Sequence, residues 1–422
     1  MQATHLLQEI SSSVLINAIP KNRYAANRTE LISAFATVRE HTLALTASLS
    51  PEDMQLQSMP DASPGKWHLA HTSWFFEAFI LAEFSQPFSW HNPLYAQLFN
   101  SYYNAMGNPF PRPKRGLISR PGLADIHRYR QDINDRMLHL LENSEPSQFD
   151  EISPLLVLGI NHEQQHQELI LTDIKHALFQ NPSFPVVFDA TSPPEPEEEL
   201  HWLDFKGGEA SVGYSEEGFC FDNELPRHRV LLEDFEIASR LVTNAQWLEF
   251  IHEGAYQQPL LWLSDGWAWR CANAIEAPLY WLQDEGEWHH FTLTGLKPLV
   301  LHEATTHISY YEADAFARWS GHRLPTEQEW EHACTQLTPG DSIDLSGQRW
   351  QWTASPYSPY PGFTPRRGNV GEYNGKFMIN QMVLRGSSLA SPIGHCRPSY
   401  RNFFHPDARW QFSGLRLVRG AL

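Results

Sequence analysis

Two histidines four residues apart, His162 and His166, sit in the segment His162-Glu163-Gln164-Gln165-His166. On an α-helix such residues stand one turn apart on the same face, so both imidazoles can reach one ion. Leu155, Leu158, His162, His166 and Leu169 form a stripe that turns the two rings inward, with Asp173 next along it, where the apolar character ends. Trp67, His71, Trp74, Ala78 and Leu81 form a second stripe, with His68 near its edge. A single histidine on a core stripe is ordinarily a hydrogen-bonded core residue. Inward histidines on facing helices are how metal sites are built into helical bundles. Three neutral imidazoles leave a divalent ion its full charge and open coordination positions, a catalytic layout that Zn, Fe or Cu could each occupy. The His-Glu-x-x-His spacing also fits a zinc metalloprotease with Glu163 as general base, though the downstream third ligand of that design is not evident. Glu168, about 200° around the helix from His166, is not expected to be a ligand.

These residues need helices to hold them. The 3.6-residue signature runs through 29–49, 66–84, 124–143 and 154–179. Ser153 is a candidate cap for the last, Pro154 suits its first turn, and its length would be about 39 Å. Four such segments with one long connection, 85–123, predict an all-α four-helix bundle. Residues 181–200 combine five prolines with the acidic run Glu197-Glu198-Glu199 and read as a solvated linker. Beyond it, short apolar stretches alternate with Gly, Pro, Asn and Asp, and tryptophan recurs. Thr326 with Glu329 three residues on is a capping box that opens a helix. The expected organisation is multi-domain: a metal-bearing bundle at 1–182, a linker at 183–200, and an irregular α+β domain at 201–422.

With 31 Lys and Arg against 49 Asp and Glu, the chain carries a formal charge of −18, which argues against a nucleic-acid partner. Its four cysteines are widely spaced with no CxxC, so neither a disulfide scaffold nor a structural zinc site is expected. No secretion signal or apolar run of membrane-spanning length is evident, and a cytoplasmic protein with no membrane partner is expected.

Longer motifs carry a family resemblance. Ser63-Pro64-Gly65-Lys66-Trp67-His68-Leu69-Ala70-His71, Trp74-Phe75-Phe76-Glu77 and His162 through Glu168 resemble the DinB-type iron-binding bundle of the ergothioneine-biosynthesis sulfoxide synthases. Phe221-Asp222-Asn223-Glu224, Gly321-His322-Arg323-Leu324-Pro325-Thr326, Trp350-Gln351-Trp352-Thr353 and Arg401-Asn402-Phe403-Phe404 resemble the fused formylglycine-generating-enzyme domain, a C-type-lectin-like fold. The resemblance implies a non-haem Fe(II) enzyme that uses O2 to join a thiol to the imidazole C2 of hercynine (Nα-trimethylhistidine), giving a sulfoxide. It matches His71, His162 and His166 to the iron ligands. Gln165 matches a residue that hydrogen-bonds the substrate imidazole, and Asn402 another hercynine contact. Phe403 is a candidate face for the quaternary ammonium.

In the branch that carries the Ser101-Tyr102-Tyr103 motif, the tyrosine pair lies at the metal and is thought to donate a proton or electron, which a phenol can do while un-ionised. Arg112 and Arg115 could grip the carboxylate of the thiol substrate. Phe404 stands where the γ-glutamylcysteine-using branch has Asp, which favours cysteine or another small thiol or selenol donor. Arg385-Gly386-Ser387-Ser388 and His405 also depart from the family pattern. Because a relative couples a selenosugar to hercynine, selenoneine synthesis is the alternative reading. The formylglycine-generating activity is not expected, because Phe412 to Leu417 lacks the reactive cysteine of those enzymes.

Overall fold

The protein is described by a computed structural model over residues 27–103, 107–189, 197–216, 218–337, 345–366, 371 and 374–420. Asn104, the residue after the Ser101-Tyr102-Tyr103 motif, and 190–196 of the expected linker lie outside the described residues.

Four helices build the N-terminal half: α1 (Arg28–Thr46), α2 (Gly65–Phe76), α3 (Leu123–Asn143) and α4 (Pro146–Phe179). Asn27 caps α1, its side chain accepting from the Glu30 N–H. Helix α2 runs into a π-turn, Glu77–Leu81, and ends in a last turn, Ala82–Phe84. Helix α4 starts earlier than its periodicity suggested. Pro146 occupies the first turn, while Ser153 and Pro154 lie inside the helix and neither caps nor opens it. The Ser153 hydroxyl donates to the Phe149 carbonyl. Asp150 and Pro154 are both exposed, so water can take the carbonyl that Pro154 cannot serve. The full α4 spans about 51 Å.

Gly159 fixes how closely α4 approaches α2. A Cβ there would come within 2.4 Å of the Phe76 ring and 3.0 Å of Phe75. Only glycine lets the two helices come together one turn before His162. Phe35, Trp67, Trp74, Tyr129, Ile133 and Leu156 fill the core among the four helices.

The C-terminal half contains α5 (Asn244–His252), α6 (Ser264–Ala272), α7 (Tyr310–Trp319) and α8 (Glu327–Gln336) beside short strands. The Thr326–Glu329 capping box opens α8 as expected. Strands β1 (Trp202–Phe205), β4 (Phe235–Ala238) and β12 (Val418–Arg419) form one sheet in the order β1-β4-β12, and β2 (Gly208–Val212) pairs with β3 (His228–Leu232). A meander follows, of β5 (Trp281–Asp284), β6 (Glu287–Thr292) and β7 (Gly295–Pro298). The last sheet has the order β10-β9-β8-β11, from β8 (Trp350–Pro356), β9 (Met382–Arg385), β10 (Asn402–Phe404) and β11 (Ser413–Gly414). Its core is aromatic, with Trp247, Phe250, Phe316, Trp350 and Trp352 buried together.

The halves share a third apolar cluster in which Leu171, Ile174 and Leu178 of α4 meet Tyr280, Phe291 and Phe412. Val187 and Phe188 are buried in the same cluster, and both N–H groups donate to the Leu293 carbonyl. Helix α4 therefore belongs to both halves. Among the described residues no helix is long and apolar enough to cross a membrane.

Candidate metal centre

Helix α4 delivers His162 and His166 from adjacent turns, and α2 delivers His71 from across the interface that Gly159 narrows. One nitrogen from each ring lies within 4.8 Å of the other two, and all three side chains are buried. His71 Nε2 and His162 Nε2 are 3.2 Å apart. Two donors each about 2.1 Å from one ion would stand roughly 3.0 to 3.4 Å apart, so this spacing suits a shared cation.

The tautomers follow from hydrogen bonds. His71 Nδ1 meets the Phe99 carbonyl at 2.6 Å; a carbonyl only accepts, so Nδ1 carries the proton and Nε2 keeps its lone pair. His166 is set by a longer chain. Asp173 Oδ2 accepts from His68 Nε2 at 3.0 Å and from the Ser63 backbone N–H at 2.8 Å. His68 Nδ1 lies 2.8 Å from His166 Nδ1. In the arrangement that leaves His166 Nε2 a lone pair, His166 Nδ1–H donates to His68.

The walls are apolar and rigid. The His71 ring lies between Trp67, stacked at 4.6 Å, and Trp74, stacked at 5.5 Å, while Phe75 packs on His162 at 4.7 Å. Burial pulls the His162 imidazole down to about 4. Burial and the neighbouring imidazoles hold His71 and His166 well below the usual histidine range, with Arg115 adding to the effect. Three neutral nitrogen donors with no carboxylate among them fit a divalent transition ion and leave its charge available to further ligands.

Glu163 is turned away from this cluster. Its carboxylate accepts from Arg39 at 2.9 Å, from Thr42 at 2.7 Å, and from Arg130. Burial alone would raise its pKa, but the two guanidiniums win and bring it down to about 2. A metalloprotease needs that carboxylate free beside its metal, and here it is a buried structural anion. Glu168 faces the second domain, as its angle on the helix suggested. It accepts from Trp350 Nε1 and from the Ser388 and Ser391 hydroxyls.

A narrow pocket opens beside His162, with walls that include Phe75, Tyr103, Gln165, Phe221, Asp222, Arg366 and Asn374. Gln165 Nε2 donates to the Tyr400 hydroxyl at 2.8 Å, and its buried Oε1 has no partner among the described residues. Tyr103 is buried, its backbone held at both ends by Asn100: Nδ2 donates to the Tyr103 carbonyl and Oδ1 accepts the Tyr103 N–H. Tyr102 packs against Tyr103 at 4.8 Å, but it faces Phe377 and its carbonyl accepts from Lys376. Tyr103, rather than Tyr102, forms the pocket wall.

The other expected contacts divide. Arg115 is buried against the Trp67 face at 3.5 Å and donates to the Ser63 and Ser101 hydroxyls, and burial brings it down to about 9. Arg112 is exposed and bonded to the Asp61 carbonyl, away from the triad. Asn402, Phe403 and Phe404 stand half-buried on β10, outside the pocket's walls. The Phe403 ring is stacked on Tyr357 at 4.0 Å, and Phe404 packs edge-on to Trp410 at 6.3 Å. A larger cavity under the 386–398 segment, walled by Ser387, Ser391 and Cys396, contains none of the three histidines.

A model of the DinB superfamily matches residues 34–170, and one of the sulfatase-modifying factor enzyme 1-like domain matches 189–342 and 339–421. The hercynine oxygenase of Mycolicibacterium thermoresistibile is 30% identical to this chain, over 93% of the chain and 95% of that protein. The chain belongs to the hercynine oxygenase family. The hercynine oxygenase of Mycolicibacterium smegmatis is 29% identical over 93% of this chain and 99% of its own length. The formylglycine-generating enzyme of Streptomyces coelicolor is 30% identical but is matched over only 46% of this chain. As a hercynine oxygenase family member the chain is an oxidoreductase built from a DinB bundle and a sulfatase-modifying-factor-like domain.

Sequence reasoning missed the partners of these histidines. Asp173 was visible as a carboxylate on the histidine stripe, and His68 as a second imidazole one turn from His71. Asp222 opens the short 3-10 turn Asp222–Glu224, and Arg366 and Asn374 lie in loops; that they share a pocket with His162 has no local signature.

Proposed function

We propose that the chain couples a small thiol or selenol donor to the imidazole C2 of hercynine at the expense of O2, in ergothioneine or selenoneine formation. The observation that carries this reading is the convergence of three neutral imidazole nitrogens beside a pocket whose buried acceptor, Gln165 Oε1, is unpartnered.

His71, His162 and His166 would hold Fe(II), which would supply the redox chemistry and the open positions that O2 and a soft sulfur or selenium donor require. The Asp173–His68 chain and the Phe99 carbonyl orient two of the three imidazoles before any ion arrives. Gln165 Oε1 is placed to accept the N–H of a substrate imidazole, which would turn the ring's C2 toward the triad. Phe75, Tyr103 and Phe221 offer aromatic faces to a quaternary ammonium, which has no hydrogen bond to lose on burial. The Tyr103 hydroxyl serves as a proton donor within the pocket, and its ring helps to exclude water. By the family resemblance, Phe404 stands where the γ-glutamylcysteine-using branch has Asp, which favours cysteine or a selenosugar as the donor.

The test is a donor comparison. Anaerobic protein reconstituted with Fe(II) is given hercynine and either cysteine, γ-glutamylcysteine or a selenosugar, then exposed to O2, and products are read by mass spectrometry. A coupled product with a small donor, lost in His162→Ala, is expected. Absence of any coupled product with all three donors would overturn the proposal.

A further inference from the structure

The pocket beside His162 has charged groups that the oxygen chemistry does not use. Arg366 forms part of its wall, half-buried, and makes no ion pair with any described residue. Its Nη2 donates to the Cys220 carbonyl, and the guanidinium lies 5.5 Å from the Phe219 ring. Asp222 stands beside it but does not neutralise it: Oδ2 accepts the Arg366 backbone N–H at 3.3 Å, and Oδ1 accepts from Asn374 Nδ2. The carboxylate thus holds the Arg366 main chain at the pocket and leaves the guanidinium's other donors for a ligand. The same pocket is lined by His162 and Gln165, whose buried Oε1 has no partner among the described residues.

Resting on the function proposed above, we propose that Arg366 is the carboxylate anchor of the pocket. It selects a zwitterionic betaine whose imidazole points at Gln165 and whose carboxylate points at the second domain. Hercynine carries its carboxylate and its trimethylammonium on the same carbon. A wall that presents a guanidinium and a carboxylate side by side, with Phe221 and Tyr103 near, matches that charge pair. Planar guanidinium suits a carboxylate bidentately, and the half-buried setting strengthens the pairing over that in open water. Asp222 favours the ammonium by charge alone, since a quaternary nitrogen has no proton to donate.

Binding without turnover separates this from the function itself. Anaerobic, Fe(II)-loaded protein with no donor present is titrated calorimetrically with hercynine and with its decarboxylated analogue, trimethylhistamine. The wild type should bind hercynine at least about tenfold more tightly than the analogue. Arg366→Gln should bring the two within about twofold by weakening hercynine alone, and Arg366→Lys should fall between. Unchanged selectivity in Arg366→Gln would overturn the anchor while leaving the function standing. Equal loss of both ligands would mark Arg366 as structural and overturn it too. A wild type that binds neither ligand would refute the function, and the anchor with it.

Discussion

The chain from Asp173 through His68 to His166 makes a quantitative claim about metal affinity. Replacing His68 with Leu removes the acceptor for His166 Nδ1–H and one of the two donors on Asp173 Oδ2. His166 is buried, and among the described residues His68 is the one hydrogen-bond partner of its Nδ1. An unsatisfied buried donor costs about 1–3 kcal/mol. In the metal-bound state His166 must carry its proton on Nδ1, so that penalty falls on the complex. In the apoprotein the ring is free to move the proton to Nε2. Outer partners of metal-ligating imidazoles are typically worth about 10–100-fold in affinity, or roughly 1.4–2.7 kcal/mol, and the two estimates agree. His68→Gln is the control, because an amide oxygen and nitrogen can replace the two ring nitrogens in accepting from His166 and donating to Asp173. Fe(II) affinity, measured anaerobically against a competing chelator, should fall by about 10–100-fold in His68→Leu and by less than about fivefold in His68→Gln. The reasoning is refuted if His68→Leu binds Fe(II) as the wild type does. Equal losses in both variants, with apoprotein melting temperatures unchanged, would refute it as well.

Other perturbations test separate parts of the structure. Glu163→Ala strands Arg39 and Arg130 in the core and should destabilise the protein by about 3–5 kcal/mol in denaturant unfolding. Wild-type protein loaded with Zn should show no peptidase activity, since this carboxylate is already bound. Tyr103→Phe should lower coupled-product formation by about 10–100-fold with iron content intact, whereas Tyr102→Phe should have a smaller effect, because only Tyr103 forms the pocket wall. Lys175 sits buried at the domain junction, 2.7 Å from His307 Nε2, and burial holds its amine well below the usual lysine value. Wherever the native amine is neutral and the unfolded one charged, unfolding therefore takes up a proton. The stability difference, wild type minus Lys175→Met, should rise with pH toward the unfolded lysine pKa near about 10.4, by up to about 1.4 kcal/mol per pH unit. A flat difference between pH 8 and 10, followed by chemical denaturation, would refute that reading.

Much of the metal centre was legible because helical geometry is local. The four-residue spacing of His162 and His166, and the Trp67–His71–Trp74 stripe, needed only the helical repeat to predict a shared site. The start of α4 was misread because Pro154 imitates a first turn. The true start, at Pro146, offers the same residue type with a weaker hydrophobic pattern behind it. Glu163 illustrates a deeper limit: its neighbour His162 faces a possible ion, yet only the fold reveals that Arg39 and Arg130 capture the carboxylate. Asn402, Phe403 and Phe404 were identified by motif, but a motif carries no distance, and their strand lies outside the pocket walls. Arg366 had no periodic signal, because a loop position acquires meaning only when a distant helix packs against it.

The middle of α4 is clothed on every side. His162 and His166 turn to α2, Glu163 and Gln167 to α1, Gln164 meets His395, Gln165 meets Tyr400, and Glu168 meets Trp350, Ser388 and Ser391. Seven consecutive positions are thus committed to different neighbours, and two distant stretches of chain must drift together or not at all. A recombinant that joined this bundle to a foreign C-terminal half would inherit the histidines. It would lack the mates of Gln164, Gln165 and Glu168, leaving polar groups stripped of partners along the very helix that carries the centre.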